Sequence, residues 1–278
     1  MPEALATLLA PYMGPNKQEL FQAFLISFIG WNLLNLIVLS LPIPDKHLPR
    51  AEMLDLRNRM VSFVHGSIIL FLSGYNTYFV YSQCGEPNTH FEEILLNFSL
   101  GYFLYDLLAM WVLGILDRSM LIHHTICISG LIFAVFTNYG GESIVSALFV
   151  TEISNPAMHV RVILKHLGLR YTKAYEVTEY SYMVLYLIGR LIGGTAIVIR
   201  TWSCAASPLV VKITGTGLLL QSIHFSITMV SILKSRAAEY AERKRKNVKM
   251  RWFTALTKEE ISKIDAYTKK QNPKQYVP

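Results

Sequence analysis

Long apolar stretches separated by short polar ones constrain this chain more than any other feature. Of its 278 residues, 52% are hydrophobic and only 16% are charged, whereas an ordinary soluble domain carries roughly 25% charged residues. Seven stretches are about 18–26 residues long, enough for an α-helix to cross ~30 Å of hydrocarbon. The sequence therefore predicts an all-α polytopic membrane protein with about seven transmembrane helices, at residues 20–41, 59–81, 94–116, 120–137, 143–165, 178–200 and 208–233.

The fifth stretch differs from the others because it carries Glu152, Asn155, Pro156, His159 and Arg161. We expect this span to be broken or partly amphipathic. A proline inside a helix frees backbone groups, which must find internal partners within a bilayer. This stretch should therefore face protein or a water-filled cavity.

The basic residues are distributed unequally between the two sides of a seven-helix arrangement. The tail from Lys234 holds thirteen Lys/Arg and five Asp/Glu, while residues 1–233 hold thirteen and fourteen. The positive-inside rule then puts the N-terminus outside and the C-terminus in the cytosol, or in the matrix of a mitochondrion. We expect a solvated tail; anionic lipid or a membrane protein partner is the alternative, and nucleic acid is not expected.

This topology divides the chain into four parts. They are a non-cytosolic segment (1–19), the first transmembrane helix with its loop (20–58), a six-helix core (59–233) and the basic tail (234–278). The start, Met1-Pro2-Glu3, lacks a basic n-region and a cleavage site, so we expect no secretory or transit peptide. Cys84 and Cys204 fall on the same non-cytosolic side, where either a disulfide or two free thiols is possible, and Cys127 should pack within a span.

Nine ionisable side chains nevertheless lie inside six of the predicted helices. Each charge costs at least ~2.5–3.5 kcal/mol in hydrocarbon, so such residues normally face the interior of a bundle. At ~1.5 Å per residue, their depths from the cytosolic end range from ~5 Å for His123 and His124 to ~20 Å for Glu152. They therefore form one layer, the candidate functional site: His65, Asp106, His123, His124, Glu152, His159, Arg161, Arg190 and His224.

Several structural roles compete with function in this layer. Asp106 and Arg190 could form a buried ion pair, and His65 and His224 could each satisfy one hydrogen bond between helices. The adjacent histidines His123 and His124 point ~100° apart on a helix, which favours a functional reading because a second histidine does not help packing. The spacing matches no strong metal motif, so we assign no metal, although zinc or iron ligation stays open. Phosphate-loop, nucleophile-elbow and CxxC motifs are absent.

Four short elements in this order resemble the TLC domain family. The resemblance runs from about residue 59 to residue 233, and the elements include the adjacent histidines; the last element resembles TLC domain-containing protein 4-like members. The elements are Arg59-Met-Val-Ser-Phe-Val-His65, Gly101-Tyr-Phe-Leu-Tyr-Asp106, Leu121-Ile-His-His124 and Thr151-Glu-Ile-Ser-Asn-Pro156 followed by Arg161.

The resemblance implies a TLC-type helical barrel around a lipid-binding cavity, in the endoplasmic reticulum or another internal membrane; the mitochondrial inner membrane is an alternative. In ceramide synthases of this family, the histidine pair carries acyl transfer from acyl-CoA. The chain departs from those enzymes because Glu152 and Asn155 stand where they have paired aspartates. His159 also replaces an asparagine of the protein 4-like members.

Three functions follow from these observations. The first is lipid or acyl-chain binding, with the headgroup held by His65, Glu152, His159, Arg161, Arg190 and His224. The second is an acyl-CoA-dependent N- or O-acyltransferase with His123, His124 and Asp106 as catalytic residues, in which Asp106 holds the tautomer of a basic histidine. The third is a structural subunit of a larger membrane complex. No cofactor is expected beyond acyl-CoA as a substrate.

Overall fold

A computed structural model describes residues 17–43 and 48–271, and within these residues the regular secondary structure is entirely helical. The elements are α1 Lys17–Ser40, α2 Arg50–Tyr75 with a π-helical end Asn76–Val80, α3 His90–Leu113, α4 Arg118–Thr137, α5 Gly141–Glu152, α6 Asn155–His166, α7 Lys173–Tyr186 with a π-helical segment Leu187–Gly193, α8 Gly194–Ser203, α9 Leu209–Arg245 and α10 Lys258–Gln271.

Local sequence signals set the ends of α3 and α4. The Thr89 hydroxyl accepts a hydrogen bond from the backbone N–H of Glu92, whose carboxylate accepts one from the backbone of Thr89, so α3 begins with a capping box. α3 ends at Gly114 in the left-handed conformation, and the Asp117 side chain caps α4. The tight connection makes α3 and α4 antiparallel neighbours.

The helices close into a ring, which confirms the predicted barrel. Around this ring, α2 packs against α3, α3 against α4, α4 against α9, α9 against α8, α7 against α6, and α6 against α2. Helix α1 packs outside the ring against α3. A hydrophobic core that includes Val61, Ile69, Leu95, Leu131 and Val145 packs the helices of the ring together.

Five helices of the described chain are long and apolar enough to cross a membrane, which fits the predicted polytopic membrane protein. They are Glu19–Ser40, His90–Leu113, Arg118–Thr137, Lys173–Ser203 and Leu209–Arg245. The predicted second and fifth spans are not among them, so the count of seven stays a prediction. The fifth span is broken, as expected, between α5 and α6, with Pro156 in the first turn of α6.

The predicted non-cytosolic loops meet at one end of the ring. Cys84 and Cys204 form a disulfide that joins the loop after α2 to the loop after α8, which decides between the two possibilities left by the sequence. Pro87 pairs with Tyr139 at the same end. The predicted non-cytosolic segment up to residue 16, residues 44–47 and the last seven tail residues lie outside the described residues.

Candidate functional site

The ring encloses a polar chamber of about 240 Å³, and eight of the nine predicted site residues line it. These eight come from α2, α3, α4, α5, α6 and the π-helical segment after α7. The depth argument therefore brought together the correct side chains, because ionisable groups that cannot face lipid turn toward the ring's interior. The eight residues are His65, Asp106, His123, His124, Glu152, His159, Arg161 and Arg190.

Asp106 and His124 form a buried pair, with 3.0 Å between the carboxylate oxygen Oδ2 and Nε2 of the imidazole. The other ring nitrogen, Nδ1, donates to the Met120 carbonyl at 2.9 Å. The second oxygen of Asp106 accepts from the Asn58 amide at 2.8 Å. Both nitrogens of His124 are thus engaged, so this histidine joins α2, α3 and α4 rather than presenting a free base.

His123 is arranged differently. The Gln221 amide donates from Nε2 to the Ser119 carbonyl at 3.0 Å, which turns its oxygen Oε1 toward His123 Nδ1 at 3.3 Å. Because an amide oxygen only accepts, Nδ1 carries the proton and Nε2 keeps its lone pair. Nε2 contacts the Cys127 sulfur at 3.7 Å, a weak hydrogen-bond partner. Of the two histidines, His123 has the available basic nitrogen.

Asn155 connects two ionisable side chains of the chamber, Glu152 and Arg190. Its amide nitrogen donates to Glu152 at 2.7 Å, and its oxygen accepts from Arg190 Nη2 at 3.2 Å. Arg190 lies in the π-helical segment after α7, with its guanidinium 5.2 Å from the Tyr186 ring centre. Among the described residues, the buried Arg190 Nε has no hydrogen-bond partner.

His65 and His159 each present a buried ring nitrogen, Nε2 and Nδ1 respectively, that has no hydrogen-bond partner within the described part of the chain. The imidazole of His65 stacks on Tyr102 with 3.7 Å between ring centres, and the edge of Trp31 from α1 packs against it. Unpaired polar atoms are costly to bury, so a polar ligand or water in the chamber would stabilise both histidines.

Asp55 and Arg59 line the end of the chamber nearest the start of α2. Asp55 accepts from Arg59 Nε at 3.1 Å and from His166 Nε2 at 2.9 Å. Burial raises the pKa of Asp55, but these two partners outweigh it and hold the pKa below its ordinary value. Arg161 donates to Glu179 at 3.3 Å and so ties α6 to α7 at this end.

Two sequence-based expectations are wrong. Asp106 pairs with His124, not with Arg190, because Arg190 reaches Asn155 on the opposite wall instead. His224 is exposed on the outer face of α9 and does not line the chamber. It follows the chamber-lining Ser222 by two residues, a rotation of ~200° around a helix.

A second, largely apolar cavity of about 80 Å³ lies between α4, α5, α8 and α9 and adjoins the chamber. On α9 its lining runs from Val211 to Ser222, a rise of ~16 Å at 1.5 Å per residue. We call this cavity the tunnel. The chamber and the tunnel share five lining residues: Phe103, His123, Glu152, Arg190 and Ser222.

Uncharged amides are the functional side chains that sequence reasoning missed. Asn58 holds Asp106, Gln221 fixes the tautomer of His123, and Asn155 was noted only as part of a broken span. A search for every hydrogen-bonding side chain at membrane depth would have found them. No cluster of three or more metal-ligating His, Cys, Asp or Glu side chains occurs among residues 17–43 and 48–271.

A family model described as TLC domain matches residues 55–234. TLC domain-containing protein 2 of Danio rerio is 30% identical over 173 residues, which are 59% of this chain and 68% of the relative. TLC domain-containing protein 1 of Gallus gallus is 30% identical over 147 residues, 49% of this chain and 55% of the relative. The chain thus spans about half the length of the second relative. No solved structure matches the chain. The predicted likeness to protein 4-like members stays a prediction.

Proposed function

The chain belongs to the TLC domain family, and from this membership we propose that it binds an amphiphilic lipid inside the ring. The acyl chain of the lipid occupies the tunnel, and its polar group lies in the chamber. The observation that carries this proposal is that the two cavities share the lining residues His123, Glu152 and Arg190. The tunnel is largely apolar and the chamber is polar, which matches the acyl chain and the polar group of an amphiphilic lipid.

The polar groups supply the selectivity in this proposal. A lipid chain that leaves the bilayer for the tunnel exchanges one apolar environment for another, so its burial contributes little. Arg190 Nε and His159 Nδ1 are buried and have no hydrogen-bond partner within the described residues. Hydrogen bonds to charged groups contribute roughly 1.5–3 kcal/mol each, enough to favour a lipid with an oxygen-rich polar group.

The test compares the lipids that co-purify with the full chain and with two alanine-to-phenylalanine variants. Ala147 lines the tunnel, whereas Ala196 is exposed on the outside of α8. Ala147→Phe should remove the bound lipid or shorten its acyl chain, and Ala196→Phe should leave it unchanged, as measured by mass spectrometry after detergent exchange. Equal lipid content in both variants would argue against a chain in the tunnel.

The geometry of His123 favours an acyl-CoA-dependent acyltransferase as a second candidate. Its Nε2 would take the proton of an acceptor hydroxyl or amine, whose oxygen or nitrogen attacks the thioester carbonyl. The new C–O or C–N bond forms as the C–S bond breaks, and the proton passes from His123 to the leaving CoA thiolate. Asp106 holds His124 in this scheme, so His124 supports the site rather than acting as the base.

Labelled acyl-CoA and a panel of amine and hydroxyl lipids test this candidate. We expect His123→Ala to abolish transfer while the protein stays folded, and the double change with His124→Ala to abolish it too. Gln221→Ala should slow transfer because it releases the tautomer of His123. No transfer across the panel, with lipid still bound, would leave lipid binding as the function.

The disulfide supports an internal membrane that faces an oxidising lumen. Disulfides persist in compartments such as the endoplasmic reticulum and are rare where thiols are kept reduced. Cys84 and Cys204 lie at the end opposite the basic tail. We therefore propose the endoplasmic reticulum, with the tail in the cytosol; tagged protein located by microscopy, with protease protection of each end, tests this.

A further inference from the structure

The chain turns back sharply after α9. This helix ends at Arg245 with Lys246 as its C-cap, and Asn247 adopts a left-handed conformation with φ of 53°. The backbone N–H of Val248 then donates to the Arg243 carbonyl at 3.0 Å, a bond typical of a helix C-terminus that reverses the chain. The residues that follow therefore run back toward the membrane-spanning bundle.

Backbone hydrogen bonds hold the returning segment against the start of α7. The N–H of Lys173 donates to the Arg251 carbonyl at 2.8 Å, and the N–H of Ala174 donates to the Trp252 carbonyl at 3.3 Å. The ammonium of Lys173 lies 5.8 Å from the Trp252 ring centre. The position of Trp252 relative to the bundle is thus set by α7.

This contact puts Trp252 beside the first turn of α7, where the apolar stretch Lys173–Ser203 begins. Along α7, Val177 is 51% exposed and Val184 is 54% exposed, as expected for side chains that face lipid. Ala174 precedes Val177 by three residues, or ~4.5 Å along a helix. Trp252 and Phe253 are 55% and 74% exposed, at the depth where aromatic side chains collect in membrane proteins.

The same segment is strongly basic. Residues 243–253 contain six Lys/Arg and no Asp/Glu. Arg243 is buried and pairs with Glu176 on α7, Arg245 is exposed and pairs with Glu242, and four further basic side chains are exposed. They are Lys244, Lys246, Lys249 and Arg251.

We propose that residues 244–253 form a binding site for anionic phospholipid headgroups on the cytosolic leaflet, with Trp252 and Phe253 inserted at the interface. Opposite charge and the aromatic pair both favour this partner over an acidic protein, because exposed rings beside a membrane gain from entering the headgroup region. Each basic residue near an anionic surface should raise the preference for anionic over neutral lipid about five-fold. The site is independent of the chamber and would anchor the end of α9 on the bilayer.

The full chain is reconstituted in vesicles of phosphatidylcholine with phosphatidylserine, with bromine on the acyl chains of one lipid or the other at equal mole fraction. The fluorescence of Trp252 is the difference between wild type and Trp252→Phe. We expect brominated phosphatidylserine to quench Trp252 more than brominated phosphatidylcholine does. The additional quenching by brominated phosphatidylserine should decrease in 1 M salt, where the Debye length shrinks to about 3 Å.

The double variant Lys249→Gln/Arg251→Gln should lower the relative affinity for phosphatidylserine about five-fold per charge removed. The matched control Lys258→Gln/Lys263→Gln removes two exposed charges from α10 and should leave it unchanged. Equal quenching by the two brominated lipids would overturn the proposal, as would equal effects of the two double variants. Trp252 that is quenched by neither lipid would place the segment in water and point to an acidic protein instead.

Discussion

Asp106→Ala removes a carboxylate that holds three helices together inside the bilayer. Asp106 is only 5% exposed and bonds to His124 on α4 and to Asn58 on α2. The variant leaves the NH₂ group of Asn58 and one nitrogen of His124 buried without the partner that Asp106 supplies. The conservative variant Asp106→Asn keeps the shape, because its amide oxygen can accept from Asn58 while its NH₂ donates to a neutral His124.

The expected magnitudes separate the two variants. Removing one partner of a buried charged pair costs about 3–5 kcal/mol, so Asp106→Ala should lower the free energy of unfolding by that amount. Asp106→Asn should cost about 1 kcal/mol, the contribution of a typical hydrogen bond. As a control, Asp117→Ala removes a carboxylate that also lines the chamber but only caps α4, and should cost about 1 kcal/mol.

Reversible unfolding in mixed micelles of increasing sodium dodecyl sulfate, followed by circular dichroism, measures these differences. A free energy of unfolding that is far lower for Asp106→Ala than for Asp106→Asn or Asp117→Ala supports the buried network. If Asp106→Ala were no less stable than Asp117→Ala, the carboxylate would be solvated by chamber water, and the inference that it fixes His124 would be refuted.

Two further predictions concern the packing of the ring. The double variant Cys84→Ser/Cys204→Ser should lose about 2–5 kcal/mol of stability, and wild type treated with dithiothreitol should lose the same amount. Unchanged unfolding midpoints, or Cys84 and Cys204 in separate peptides after non-reducing digestion, would contradict the disulfide. Gly189→Ala should cost about 1–3 kcal/mol of stability because the added methyl overlaps the Val150 carbonyl. In the control Gly30→Ala, the methyl meets nothing within 4 Å, so stability should not fall. Equal unfolding midpoints for the two variants would show that the π-helical segment shifts to make room for the methyl.

Much of the candidate site could be predicted from the sequence because ionisable side chains are rarely exposed to lipid. Ionisable groups such as His65, Glu152 and Arg190 are too costly to expose to hydrocarbon, so their presence in apolar stretches predicted an interior site. His224 escaped this argument because an imidazole can be neutral, so its exposed position on α9 does not put a charge into hydrocarbon. The broken span was also predictable, since Pro156 cannot continue a helix without losing a hydrogen bond.

The sequence by itself determined the all-helical class, the approximate positions of most helices and the set of costly side chains, and it predicted the side of the basic tail. Only the tertiary structure decided that His124 pairs with Asp106 while His123 keeps a free nitrogen, and that Trp252 returns to the start of α7. The reason is physical. Hydrophobic length and charge are properties of one segment, whereas hydrogen-bond partners depend on the rotation and depth of several helices at once.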